Sequence, residues 1–253
     1  MPIRISGCVI AFNEADCIQA CLHSLAQVAD ELLVVDSHST DRTRELAGEC
    51  GARVIERDWA GYRSQRQFAH EAASHDWILM LDADEQLSPE LAAEILRQKQ
   101  QDNATAAAYK VPFASRYFGR YLRFGDAGRE HHIRLFDRRR SAMGGFEIHE
   151  KLVVDGPVGS LRGKILHDSY RNYDDQLTKL NRYASLMADA MHAAGRRGSV
   201  LHILFNPGWR FLRAFVLRAG FLDGWRGLLV ALADANYVRQ KYLRLFLLTR
   251  APR

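Results

Sequence analysis

Three apolar runs in this chain each end abruptly in polar, carboxylate-bearing residues. IRISGCVIAF is followed by Asn13 and Glu14, ELLVV by Asp36-Ser37-His38-Ser39-Thr40-Asp41, and WILML by Asp82-Ala83-Asp84-Glu85. In open α/β sheets, ligands bind beyond the carboxyl ends of the strands, so these positions are the candidates for chemistry. Asp82 and Asp84 stand two apart, and extended backbone turns such residues to the same side. Two carboxylates so placed suit a hard divalent cation, Mg²⁺ or Mn²⁺, that also holds phosphate oxygens. The competing reading makes Asp82 a turn cap and Asp84 a solvated carboxylate. The other two acidic strand ends, expected at the same sheet edge, favour the metal.

The elements that must position these groups follow from periodicity and caps. Residues 3–12 predict a strand and 15–29 a helix. Residues 31–35 predict a second strand, followed by a helix capped by Ser39 or Thr40 that reaches Cys50, with Gly51 past its end. A third strand is expected over 53–56, a helix over 62–74 and a fourth strand over 77–81. Ser88-Pro89 then begins another helix. Strands alternating with helices imply βαβ units and a parallel sheet, and nearly continuous apolar strands imply cover on both faces. From Ala104 to about Leu166 shorter segments (AAAYKVPF, HHIRLFD, EKLVVD) predict appended mixed strands. Helical spacing returns over 170–194 and continues into a tail of two or more helices. The fold class is therefore α/β, a mainly parallel sheet flanked by helices. Its expected division is an α/β domain over 1–170 and a helical region over 171–253.

Composition narrows the alternatives. The 253 residues are 47% hydrophobic and 26% charged, enough for a sizeable core. Cys8, Cys17, Cys21 and Cys50 form no CxxC pair, which points to a reducing compartment. No secretory signal or membrane-spanning run is visible. The net charge of +5 is uneven: residues 205–253 hold nine Lys/Arg against Asp223 and Asp234, or +7, leaving −2 for the rest. That tail also carries nine aromatic residues, which predicts helices that dock on an anionic membrane surface. Neither GxGxxG nor GxxxxGK[ST] occurs, against a dinucleotide dehydrogenase or a P-loop NTPase. A nucleotidyltransferase would favour a basic, Gly-rich loop after strand one, where this chain has FNEAD. The basic residues suggest a nucleic-acid module, but no signature of one appears, and nucleic acid is not an expected partner.

FNE after strand one, Asp36-Ser37-x-Ser39-x-Asp41 after strand two, W-x-G-Y-x-x-Q-R at 59–66 and WILMLDADE at 77–85 together resemble the family 2 glycosyltransferases, of GT-A (Rossmann-like) fold. RLF at 134–136, HEKL at 149–152, LHDSY at 166–170 and GFLDG at 220–224 are similar to the branch that builds the lipopolysaccharide core. Where that branch carries Gly-Trp beside an Asp, this chain reads Phe124-Gly125-Asp126-Ala127. The resemblance implies an inverting, metal-dependent enzyme using a nucleotide-sugar donor, UDP-glucose above all, and a lipid-linked saccharide acceptor. It also implies a cytoplasmic location, peripheral on the inner face of a bacterial inner membrane. Asn13 and Glu14 would line the nucleotide end of the cleft, and Asp36 would contact uracil with Ser37 nearby. Gln65 and Arg66 would lie near the donor phosphates. Asp82 would meet the ribose or the metal shell, Asp84 would hold the metal, and His167 would add a ligand. Proton removal from the acceptor needs a carboxylate base; Glu150 is the first candidate and Asp126 the second. The competing readings are a salt-bridged Glu150 and a buried His167 bonded to backbone.

Overall fold

A computed structural model describes residues 3–100, 106–145, 150–168, 170 and 172–250, with Gly145 and Glu150 described in backbone only. The chain divides into two compact units, residues 1–113 with 131–167, and residues 114–130 with 168–253.

In the first unit, β1 (Ile5–Ala11), α1 (Ile18–Ala26), β2 (Glu31–Asp36), α2 (Thr43–Glu49), β3 (Arg53–Glu56), α3 (Tyr62–Ala72) and β4 (Trp77–Asp82) alternate as the sequence predicts. After them come β5 (Glu85–Leu87), α4 (Pro89–Gln100) and β6 (Ala108–Tyr117), the last of which runs out of the unit beyond Phe113. A two-residue strand, β7 (Arg120–Tyr121), lies in the second unit. The first then resumes with β8 (His131–Asp137), β9 (Ser141–Gly145), β10 (Glu150–Val154), β11 (Val158–Ser160) and β12 (Ile165–His167).

The strands β3, β2, β1 and β4 lie side by side in that order and all run parallel. β8 joins antiparallel to β4, and β6 antiparallel to β8. β9 and β10 form a separate hairpin. Alternate residues explain the double burial. On β4, Trp77, Leu79 and Leu81 enter one apolar cluster with Leu22 and Leu25 of α1 and Leu91 and Ile95 of α4. Ile78 and Met80 enter the opposite cluster with Ala69 of α3. A strand whose two faces both meet helices must be apolar throughout, which is why WILML shows no alternation. Register pairs Ala11 with Asp36 and Ile10 with Asp82, so the acidic ends of β1, β2 and β4 share one edge.

Two element boundaries depart from expectation. α1 begins at Ile18 rather than Ala15 because the N–H groups of Asn13, Glu14 and Ala15 donate to Ser39 Oγ, Thr43 Oγ1 and Asp41 Oδ2. α2 begins at Thr43, and neither Ser39 nor Thr40 caps it. Asp41 bonds the N–H of Thr43 instead, at 2.9 Å. Gly51 does follow α2 with φ +77, a conformation glycine adopts without steric cost. Ser88 Oγ accepts the N–H of Leu91 at 3.2 Å, as a cap of α4 should.

The second unit is helical: α5 (Tyr173–Ala193), α6 (Val200–Phe211), a π-helical continuation over Leu212–Leu217, a short 3-10 helix over Gly220–Asp223, and α7 (Trp225–Arg250). Asn172 and Ser199 cap α5 and α6 with their side chains. Segment 114–130 packs into this unit through Asp223, whose carboxylate accepts the N–H groups of Arg123 and Phe124.

Candidate active site

Two networks occupy the carboxyl edge of the parallel strands. The first is a polar knot around the turns that follow β1 and β2. Asn13 takes φ +56 and its Oδ1 accepts the N–H of Thr40 at 2.8 Å. Asp36 is fully buried, with one oxygen accepting the Ser39 N–H at 2.7 Å and the other the Ser39 hydroxyl at 2.5 Å. Ser37 is buried and accepts from Gln65 Nε2 at 2.9 Å, while Gln65 Oε1 accepts from Arg57 at 3.0 Å. Asp36, Ser37 and Gln65 therefore face one another or their loops rather than open solvent. Their geometry sets the shape of the edge, because a buried polar group that lost its partner would cost about 1–3 kcal/mol. Glu14 remains partly exposed, with Oε2 3.2 Å from Cys17 Sγ. Beside it Phe12 is 52% exposed, an aromatic face that the sequence reading passed over as the last residue of a strand.

The second network gathers the ionic residues. Arg66 Nη2 donates to both oxygens of Asp82, at 2.6 and 2.8 Å. Arg134 of β8 donates to Asp82 Oδ2 at 3.3 Å and to buried Glu85 Oε1 at 2.5 Å, and its guanidinium lies 5.3 Å from the Phe113 ring centroid. Glu85 Oε2 accepts the backbone N–H of Asp82 at 3.0 Å. His167 of β12 places Nε2 3.5 Å from Asp84 Oδ2, and its ring meets Phe113 edge-on. Asp82, Asp84, Arg66 and His167, which span residues 66 to 167 of the chain, thus stand together.

Charge in this cluster is strongly biased. Burial opposes ionisation of Asp82, but the Arg66 and Arg134 guanidinium groups outweigh it and hold the carboxyl well below the usual range. Burial pushes Glu85 upward, against the pull of Arg134. Burial also disfavours charge on His167, yet its bond to Asp84 and the nearby carboxylates raise it to about 9. His167 is therefore a cation at neutral pH, beside Asp84.

Arg134 and Glu85 are the functional-edge residues that the sequence reading quoted without assigning a role. The signal was present: a lone arginine inside the apolar run of HHIRLFD has to be neutralised when it is buried.

The two candidate bases differ. Asp126 belongs to the second unit, where Arg210, Arg213 and Arg218 all bind its carboxylate. Burial would raise its pKa, but those guanidinium groups lower it. A carboxylate so clamped is a weak proton acceptor, which argues against the expected role. Glu150 opens β10, with its backbone opposite Gly145; its side chain, and His149, lie outside the described residues.

Comparison with known proteins now decides the family. Residues 6–153 match the family model for glycosyl transferase family 2. The chain belongs to that family. A glycosyltransferase of Rickettsia bellii is 31% identical over 95% of this chain and 86% of its own length. The lipopolysaccharide core biosynthesis glycosyltransferase LpsC of Rhizobium meliloti is 30% identical over 93% of this chain and 89% of its own length. Among solved structures, the mannosyltransferase PcManGT of Pyrobaculum calidifontis, in complex with GDP-Man and Mn²⁺, aligns with a TM-score of 0.57 at 14% identity. That alignment covers 97% of this chain and 87% of the other. S. aureus TarS in complex with UDP-GlcNAc aligns at a TM-score of 0.51 and 14% identity, over 98% and 90%. These likenesses establish the GT-A fold: a mostly parallel, mixed sheet flanked by helices, with C-terminal helices. This family 2 enzyme is a glycosyltransferase. No helix among its described residues is long and apolar enough to cross a membrane.

Proposed function

We propose that this glycosyltransferase moves a hexose, glucose from UDP-glucose first, onto the lipopolysaccharide inner core or a similar lipid-linked saccharide, with inversion at the anomeric carbon. The observation that carries the reading is the ionic cluster at the end of β4, in a chain 30% identical to LpsC over most of both lengths.

The acceptor hydroxyl attacks the anomeric carbon from the face opposite the departing diphosphate, so one displacement inverts the configuration. Glu150 is the base that takes the hydroxyl proton in this reading. Asp82, locked by two arginines, and Glu85 beneath it keep the strand end rigid, so little reorganisation accompanies charge movement. Phe12 offers a stacking face for the base of the donor.

The donor set suits a divalent cation in part. Among the described residues no three His, Cys, Asp or Glu side chains converge as a complete cage. Asp84 and His167, 3.5 Å apart, would supply two ligands, and the donor's diphosphate oxygens would complete a hard-ion shell. Because His167 is protonated when free, taking up a cation there would release its proton. A bound Mg²⁺ or Mn²⁺ would neutralise charge on the leaving diphosphate.

Thermal-shift titration with UDP-, GDP- and CMP-sugars, each with Mg²⁺ or Mn²⁺, tests the donor. The true donor stabilises in proportion to the logarithm of its concentration over Kd. A shift with GDP-sugars alone, or with none, would overturn the UDP-sugar reading.

A further inference from the structure

The large apolar side chains of the second unit are not all packed inward. On α6 and its π-helical continuation, Leu201, Leu204, Phe205, Trp209, Leu212 and Val216 recur at helical spacing and all are exposed, Phe205 to 67% and Trp209 to 58%. Side chains three and four apart lie on one helix face, so these form a single stripe. Beyond the left-handed turn at Ala219, the 3-10 helix and the first turn of α7 add exposed Phe221, Leu222 and Trp225.

Charge is arranged against expectation. The arginines of this segment, which the tail's composition suggested would meet a membrane, turn onto carboxylates of their own unit: Arg210, Arg213 and Arg218 onto Asp126, and Arg210 also onto Asp234. From residue 190 to 233 the sequence has one carboxylate, Asp223. It is buried and bonded to backbone N–H groups. At the start of α6, Arg196 and Arg197 are exposed. The stripe is thus apolar along its length, rich in Trp and Phe, basic at its rim and without an exposed acid.

We propose that this stripe is a membrane-docking face that enters the headgroup–acyl boundary of an anionic bilayer by apolar insertion, with charge in a minor part. The inference deepens the proposed function and rests on its lipid-linked acceptor. Trp and Phe favour the membrane–water interface, and an exposed apolar stripe of this length marks an interaction surface. No described helix can span the bilayer, so the face lies on it. A second copy of the chain is the weaker occupant: two such faces would bring basic rims together with no carboxylate on the stripe itself to pair them.

The test is flotation of the full chain, without donor or metal, with vesicles of phosphatidylethanolamine containing about a quarter phosphatidylglycerol. Expected are a blue shift of Trp emission and binding that falls less than about threefold between 0.1 and 0.5 M NaCl, since apolar insertion is unscreened. Leu204→Asp with Phe205→Asp, at exposed positions that leave the fold intact by circular dichroism, should lose at least about tenfold. Arg196→Ala with Arg197→Ala should lose less than that pair. Absent flotation at low salt, equal flotation of the Asp variant, or loss governed by salt and by Arg196 and Arg197 would each overturn the proposal. So would a dimer in light scattering that the Asp variant dissolves, which would assign the face to a second copy. Flotation needs no turnover. Vesicle binding by a chain that consumes no nucleotide sugar would support docking while removing the proposed function.

Discussion

Replacing Arg134 with Met should destabilise the enzyme far more than a surface charge change does. The guanidinium sits in the first unit with Nη2 2.5 Å from Glu85 Oε1 and 3.3 Å from Asp82 Oδ2. Arg134 and Glu85 are both buried. Methionine fills similar volume but leaves Glu85 without its cation. Removing one partner of a buried ion pair costs about 3–5 kcal/mol where the charge remains; this holds well above the raised Glu85 value of about 7, below which the stranded carboxyl takes up a proton. For a chain of this size each kcal/mol moves the melting midpoint by about 2–4 °C, so the expected fall is about 6–20 °C. Asp82 suffers less, since Arg66 still holds both its oxygens. Adding Glu85→Gln removes the stranded charge and should recover more than about 1 kcal/mol relative to the sum of the two single variants. Melting curves of the four proteins, followed by circular dichroism at about pH 9, where Glu85 is charged, measure this coupling. A Met variant melting within about 2 °C of wild type, or a double variant no better than additive, would refute the account of the buried pair.

Three further outcomes follow from the same geometry. Asp84→Ala should stay folded but lose turnover by about 10²–10³-fold, and near-normal sugar transfer would remove Asp84 from the metal assignment. Glu150→Gln should keep donor affinity in thermal shift and lose kcat, whereas Asp126→Asn should act through stability by unbalancing three arginines. A folded, inactive Asp126→Asn beside an active Glu150→Gln would reverse the choice of base. Burial opposes charge on Glu31, but Ser6, Arg53 and Ser74 bond its carboxylate and lower its pKa from 4.5 to about 2. Because the folded value is depressed, its stabilisation is present above pH 4.5 and is lost as pH falls through about 2. Glu31→Gln should thus cost about 2 kcal/mol at pH 7, after allowance for solvent screening, and almost nothing at pH 2; a pH-independent difference in urea midpoints would contradict this.

The parallel half of the sheet was legible in the chain because local rules and tertiary packing agree there. IRISGCVIAF, ELLVV and WILML are mainly apolar; β1 is buried along its whole length, β2 from Leu33 to Asp36 and β4 from Trp77 to Leu81. The Ser88-Pro89 start and the Gly51 stop were legible because caps are local. The start of α2 was not. Ser39, a good cap by type, is drawn to Asp36 and Asn13, and only the fold brings Asn13 within reach. For the same reason the sequence does not show that Asp36, Ser37 and Gln65, expected as ligand contacts, also bond one another and their own loops. A polar residue at a strand end looks the same in the sequence whether its partner is a substrate or another part of the protein.

Sequence by itself determined the family and the common edge of the acidic strand ends, since motif spacing and strand periodicity depend only on neighbours along the chain; Asp84 stands in the turn after β4 and meets His167, whereas Asp82 meets the arginines. Tertiary structure alone decided which charges are neutralised. Arg66 and Arg134 reach Asp82 from 16 and 52 residues away, and His167 reaches Asp84 from the far end of the first unit. It also decided the direction of the tail's arginines. Composition counts Arg210, Arg213 and Arg218 as surface charge, but Asp126, more than eighty residues earlier, binds all three. Ion pairs form between groups that folding brings within a few ångströms, and that distance carries no trace in the local pattern of residues.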